Sequence, residues 1–224
     1  MIALLVRFVL GPLARAVYRP EVHGVENVPA TGPVLLAANH RAALDTGVIT
    51  FATPRQVKFL GKAEYFTGRG VKGKLMAGFV GGLGYIPVER GNAQAGLAAL
   101  EAARKVLDAG GVFAIYPEGT RSLDGRLHRG HTGVAALALA TGAKVVPVAL
   151  AGTEQLQPAG KRVPRPAKIS ITFGESLDFS RYEGQDYSPA IRRSVTDEVM
   201  YQILEISGQE YVDTYHKRPS EGVA

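Results

Sequence analysis

Short apolar runs recur along the chain, each bounded by glycine, proline or polar residues. Residues 34–38 (VLLAA), 112–116 (VFAIY) and 144–151 (KVVPVALA) are nearly continuous in apolar character. Runs of this kind suit strands buried on both faces, the condition of a parallel sheet covered by helices. Shorter strands are expected at 57–60, at 85–88 and at 167–173, where Ile169 and Ile171 alternate. Residues 21–28 read as an edge strand or arm, and Pro29 to Pro33 as the turn that feeds the first buried strand.

Helical spacing fills the intervals. Asn92 is placed to cap a helix carrying Leu97, Leu100, Ala103 and Leu107, which Gly110-Gly111 ends. A brief helix follows Asp45 and closes at Thr53-Pro54, and an Ala- and Leu-rich helix over 132–141 stops at Gly142. Ser188 and Pro189 open a last helix with Ile191, Val195, Val199, Ile203 and Ile206 on one face. Strands alternating with helices predict an α/β fold in a single domain, with a mostly parallel or mixed central sheet flanked by helices.

With 224 residues, 46% of them apolar, the chain can build one full core, so a second domain is not expected. The expected division is a helix over 1–20, a folded body over 21–215 and a loose tail over 216–224. Residues 1–20 (MIALLVRFVLGPLARAVYRP) are interrupted by Arg7 and by Gly11-Pro12, so they cannot supply the roughly 20 apolar residues of a spanning helix. A small-residue cleavage signature is also missing. Two readings fit the segment. Either it lies in a membrane interface, with Leu4, Leu5, Phe8, Val9 and Leu13 in the acyl boundary and Arg7, Arg15 and Arg19 at headgroups, or it packs on the protein's own core.

Cysteine is absent, which excludes disulfides, thiolate catalysis and cysteine-ligated zinc. The net charge of +6 suits an anionic partner. Nucleic acid is not that partner on this reading, because Trp is absent and no basic run alternates with stacking rings. The densest basic stretch runs from Arg55 to Lys74, with Arg55, Lys58, Lys62, Arg69, Lys72 and Lys74 against the single acid Glu64. It is either a solvated face or a surface for anionic lipid or a polyphosphate carrier.

Asn39-His40-Arg41-Ala42-Ala43-Leu44-Asp45 follows the first buried run and holds a candidate base and a candidate acid five residues apart. On one continuous helix that spacing would leave the two side chains about 140° apart. They can meet only if His40 lies in the turn after a strand and Asp45 near the start of the next helix. The carboxylate then holds one imidazole nitrogen and leaves the other to take a proton. Gly81-Gly82-Leu83-Gly84 precedes a strand, whereas a nucleotide cradle needs its glycines between a strand and a helix, so no nucleotide fingerprint is present. Arg90 leaves the 85–88 strand, and Pro117-Glu118-Gly119-Thr120-Arg121-Ser122 leaves the 112–116 strand. Polar groups thus crowd three strand ends, the edge at which open α/β sheets bind ligands.

These segments resemble the ordered blocks of the 1-acyl-glycerol-3-phosphate acyltransferase family, the phospholipid and glycerol acyltransferases. The resemblance rests on Asn39-His40 with Asp45, Gly84 to Arg90, Phe113 to Ser122 and Val145 to Leu150, and Lys62-Ala63-Glu64 adds to it. It implies acyl transfer from acyl-CoA or acyl carrier protein to the free hydroxyl of a lysophospholipid, such as lysophosphatidic acid, with no cofactor and no metal. His40 would be the general base and Asp45 its orienting acid. Arg90, Arg121 and Lys62 would hold the acceptor phosphate, while Asn39, Glu118, Gly119 and Thr120 would shape the acceptor site. A peripheral position on an anionic membrane surface, at its cytoplasmic face, is expected; the resemblance leaves the oligomeric state open. A metal hydrolase using His128 and His131 beside His40 and Asp45, and a lipid-binding protein without catalysis, are the competing classes.

Overall fold

The structure is a computed structural model and describes residues 9, 11–89, 93–158, 165–185 and 188–216. Its first half comprises α1 (Gly11–Tyr18), β1 (Glu21–His23), β2 (Val34–Ala38), α2 (Asp45–Ala52), β3 (Val57–Lys62), α3 (Gly70–Gly82), β4 (Tyr85–Val88) and α4 (Ala93–Asp108). The second half comprises β5 (Val112–Ile115), β6 (Leu127–His128), α5 (Gly133–Thr141), β7 (Lys144–Ala151), α6 (Thr153–Leu156), β8 (Ser170–Phe173), α7 (Pro189–Ser207) and β9 (Tyr211–Val212).

Every residue of β2 is buried, because the two-residue repeat of a strand sends its side chains alternately into two cores. Leu35 and Ala37 join Phe113, Val145 and the inner faces of α4, α5 and α7. Val34, Leu36 and Ala38 join Val112, Ala114, Val146, Val148 and Ile49 of α2. The β2 run is therefore apolar throughout, as a strand covered on both sides must be. The main sheet has the order β1-β8-β7-β2-β5-β3-β4. Its neighbours run parallel except β7 and β8, which are antiparallel, so the sheet is mixed.

Helix α7 shows why local sequence suffices for some elements. Ser188 caps it by accepting from the Ile191 N–H at 3.4 Å, a proline opens it, and Gly208 ends it in the left-handed region at φ 63°. Its buried stripe is Val195, Val199, Met200 and Ile203.

Two expectations are revised, and two elements form where none was expected. The 21–28 segment is a strand only over Glu21–His23, followed by a 3-10 turn. The 167–173 strand begins at Ser170. Helix α3 occupies a stretch whose glycines gave no helical signal. The segment after α7 forms β9, which pairs in parallel with β6. Of the amino-terminal expectation, residues 11–18 form α1, with Leu13 and Val17 exposed and contact to α2. Leu4, Leu5, Arg7 and Phe8, Asn92 as a cap, Arg90 and the 217–224 tail lie outside the described residues.

The parallel strands β2, β5 and β3 deliver His40, Glu118 and Lys62 at one edge of the sheet.

Candidate active site

His40 lies in the turn after β2, and Asp45 is the first residue of α2. The His40 Nδ1 lies 2.8 Å from Asp45 Oδ2, and the carboxylate side chain is fully buried while the imidazole is 18% exposed. The same oxygen accepts the backbone N–H groups of Arg41, at 2.6 Å, and Ala42, at 2.8 Å. The turn thus folds around the carboxylate, which also sits at the positive end of the α2 dipole. Because Nδ1 faces a carboxylate it carries the proton, and the Nε2 lone pair is left available. Asp45 Oδ1 is buried with no hydrogen-bond partner among the described residues.

Several contacts fix His40 itself. Its backbone N–H donates to Glu118 Oε1 at 3.2 Å, and its carbonyl accepts from the Ser122 N–H at 2.7 Å. Its ring stacks on that of Tyr116, centroids 3.9 Å apart and planes 13° from parallel. The Tyr116 hydroxyl is in turn 3.0 Å from Thr46 Oγ1, next to Asp45. Burial first, and then the Asp45 carboxylate, push the Tyr116 hydroxyl well above its ordinary pKa of 10, so it stays protonated. The chain ends of β2 and β5 are in this way locked to each other around one imidazole.

Glu118 faces inward. It is 1% exposed, and while Oε1 holds the His40 N–H its Oε2 accepts the His128 N–H at 2.9 Å. Burial pushes its carboxyl up to about 7, against the lowering effect of those two N–H groups. Asn39 is also fully buried. Its Oδ1 accepts from the Leu150 N–H at 2.8 Å, and its Nδ2 donates to the Leu150 carbonyl at 3.1 Å and to Gln209 Oε1 at 2.7 Å. The structure thus places Asn39 and Glu118 behind His40, as braces between strand ends. Gly119, at φ +74°, packs against the His131 ring, and Thr120 is half-buried.

Of the three expected cations, Arg121 and Lys62 lie among the described residues. Arg121 is partly exposed and makes no ion pair or hydrogen bond through its guanidinium to a described residue. Lys62 is exposed at the end of β3, in register with Val88. Arg90 follows Glu89 outside the described residues. Arg41 carries no signal in the sequence beyond its place as a spacer between His40 and Asp45. Its guanidinium is 3.2 Å from Glu154 of α6, beside the imidazole-bearing turn. Tyr116, in sequence, is only the last residue of a buried apolar run.

His128 is buried, and its Nε2 lies 3.1 Å from both oxygens of Asp124. Although burial pushes the Asp124 carboxyl up, the backbone N–H of Arg126, the His128 ring, the Arg126 guanidinium and the Ser122 hydroxyl hold it well below the usual range. The His128 ring stacks on His216, and the His131 ring on Tyr215, so the carboxyl-terminal segment closes over this cluster. Glu118 stands between the two groups, accepting the His40 N–H on one oxygen and the His128 N–H on the other.

Comparison with known proteins adds the following. A family model described as Acyltransferase matches residues 19–151, more than half of the chain. The chain is similar to a 1-acyl-sn-glycerol-3-phosphate acyltransferase of Chlamydomonas reinhardtii, 31% identical over 162 residues, covering 71% of this chain and 47% of that protein. It is similar to the 1-acyl-sn-glycerol-3-phosphate acyltransferase of Bacillus subtilis, 27% identical over 186 residues, 80% of this chain and 85% of that one. The fold is similar to the crystal structure of the 1-acyl-sn-glycerophosphate acyltransferase PlsC from Thermotoga maritima, with a TM-score of 0.64, 26% identity, and coverage of 88% of this chain and 76% of that chain. The chain spans less than half the length of the algal relative.

Proposed function

The chain belongs to the acyltransferase family, and from that premise we propose that it transfers a fatty acyl group from acyl-CoA or acyl carrier protein to the free hydroxyl of 1-acyl-glycerol-3-phosphate, giving phosphatidic acid. The observation that carries the reading is the 2.8 Å contact between His40 and the buried Asp45 at the carboxyl edge of the sheet. In the proposed step His40 Nε2 takes the proton of the acceptor hydroxyl as its oxygen attacks the thioester carbonyl carbon. The tetrahedral intermediate collapses with cleavage of the carbon–sulfur bond, and the imidazolium returns the proton to the departing thiolate. Asp45 stabilises the imidazolium between these events, and the nucleophile is the substrate itself, so no acyl-enzyme forms. Backbone amides supply the oxyanion site. Arg121, whose guanidinium has no described partner, together with Arg90 and Lys62, holds the acceptor phosphate. Gly119 and Thr120 shape the acceptor site, while Asn39 and Glu118 brace it from behind.

The acceptor lies in a membrane, so the enzyme works as a peripheral protein on the cytoplasmic face, where thioester carriers are present, with residues 1–20 as an interfacial helix and 21–215 as the acyltransferase body. Among the described residues no helix is long and apolar enough to cross a membrane. The test is thiol release from acyl-CoA, measured with lysophosphatidic acid and with a monoacylglycerol that lacks the phosphate. Release that depends on the phosphorylated acceptor, with an Arg121→Ala variant raised chiefly in acceptor KM, supports the reading. Equal use of both acceptors would assign a different lipid, and release with neither would overturn acyl transfer.

A further inference from the structure

We propose that α3 lays its outward face into the surface of an anionic bilayer and so sets the sheet edge that carries His40 against the membrane. The docking stands on the helix alone, while its use in bringing acceptor lipid to His40 rests on the acyl-transfer reading above.

Helix α3 is apolar on two opposite sides. Gly73 and Val80 face the protein and are buried. On the other side Val71 is 74% exposed, Leu75 57%, Met76 52% and Phe79 41%. Val71, Leu75 and Phe79 are four residues apart, so they line up along successive turns, with Met76 beside them. Single exposed apolar side chains are ordinary, but four grouped on the outer side of one helix form a patch that calls for a partner. Arg69 at the amino cap, Lys72 and Lys74 are exposed at one end of this face, and the helix has no acid in its first turn. An apolar strip with cations at headgroup depth is the pattern of an interfacial helix.

The position of α3 gives the face a direction. β3 ends at Lys62 on the same sheet edge as His40, and the 3-10 turn Ala63–Tyr65 leads from there to α3. The cationic end of the helix is therefore the end next to the site. At its far end Thr50 of α2 donates to the Leu83 carbonyl, and α2 also touches α1. On α1, Leu13 and Val17 are exposed, so two elements that touch α2 carry exposed apolar side chains.

A bilayer fits this arrangement better than other occupants. A second copy packed about a two-fold axis would cover the apolar strip but offer Arg69, Lys72 and Lys74 no anion from α3 itself, which carries no acid. An acidic carrier protein would meet the cations but leave the α1 face bare.

The experiment is sedimentation of the full chain with vesicles of neutral phosphatidylcholine and of phosphatidylcholine containing phosphatidylglycerol, at low and high salt. Two variants are compared, Leu75→Ser with Phe79→Ser, and Lys72→Glu with Lys74→Glu, and their melting temperatures establish that both fold. Each is expected to bind anionic vesicles about tenfold more weakly or worse, since each removes apolar burial or charge attraction worth about that much. Residual binding of the serine variant is expected to be salt-sensitive, and that of the glutamate variant much less so. Thiol release with short-chain, monomeric donor and acceptor is expected to match the unmutated protein in both, so a failed docking and a failed reaction are told apart. Unchanged vesicle binding in both variants overturns the proposal. So does a loss of dimers in the serine variant without a loss of vesicle binding, or a defect seen only with an acyl carrier protein donor.

Discussion

Oδ2 of Asp45 accepts from the His40 ring and from two backbone N–H groups at once, so one carboxylate builds the turn and orients the base it carries. The proposed proton transfer gives His40 a charge that Asp45 must balance, while an amide could keep the turn but not the charge. His40→Ala is expected to lower kcat at least a few hundredfold, the ordinary cost of losing a general base. Asp45→Asn is expected to lower it about a hundredfold or more while lipid binding persists. Thiol release at saturating donor measures both, and a fully active His40→Ala enzyme would refute the mechanism. Glu118, the brace behind His40, makes a prediction in pH. Its carboxyl titrates at about 7 in the folded chain against an ordinary 4.5, so the folded state holds the proton more tightly than the unfolded one. Stability from this group is complete below pH 4.5 and is lost as pH rises through about 7. Relative to Glu118→Gln, the unmutated protein is expected to lose up to about 3 kcal/mol between those limits, read by urea unfolding at pH 5 and pH 8. Parallel stability curves for the two proteins would show that Glu118 does not titrate there.

The α3 to β4 connection shows how glycines work at the scale of an element. Gly84, at φ +90°, starts β4 so close to β3 that a Cβ on it would lie 2.0 Å from the Val57 carbonyl oxygen. Its own carbonyl accepts from the Phe59 N–H at 3.0 Å, which sets the register of the β3–β4 pair. Gly84→Ala is therefore expected to cost at least about 2 kcal/mol, since it combines a left-handed backbone with a clash against main chain. Gly81 lies within α3 with nothing near its missing Cβ. Gly81→Ala is expected to be neutral or to stabilise by up to about 1 kcal/mol. Thermal melts of the pair decide it, and equal effects of the two substitutions would refute the role given to Gly84. The same stretch explains a difference in legibility between elements. β2, β5 and β7 announce themselves because burial on both faces demands unbroken apolar runs. α3 does not, because its glycines and exposed apolar side chains break the one-sided periodicity from which a helix is read.

Across the whole molecule, the sheet order β2-β5-β3 brings to one edge the ends of strands far apart in sequence. The chain by itself determined the α/β class, the strands of the sheet centre and the pairing of His40 with Asp45. Those depend on near neighbours: burial patterns of period two or 3.6, and a turn short enough to close on its own carboxylate. Tertiary structure alone decided that Tyr116 stacks on His40, that Glu118 and Asn39 turn inward as braces, and that Arg41 pairs with Glu154. It also decided that His128 belongs with Asp124 and the carboxyl-terminal segment. Each of these contacts joins different strand ends or loops, and their distances follow from strand order and register, which no local pattern of apolar and polar residues encodes.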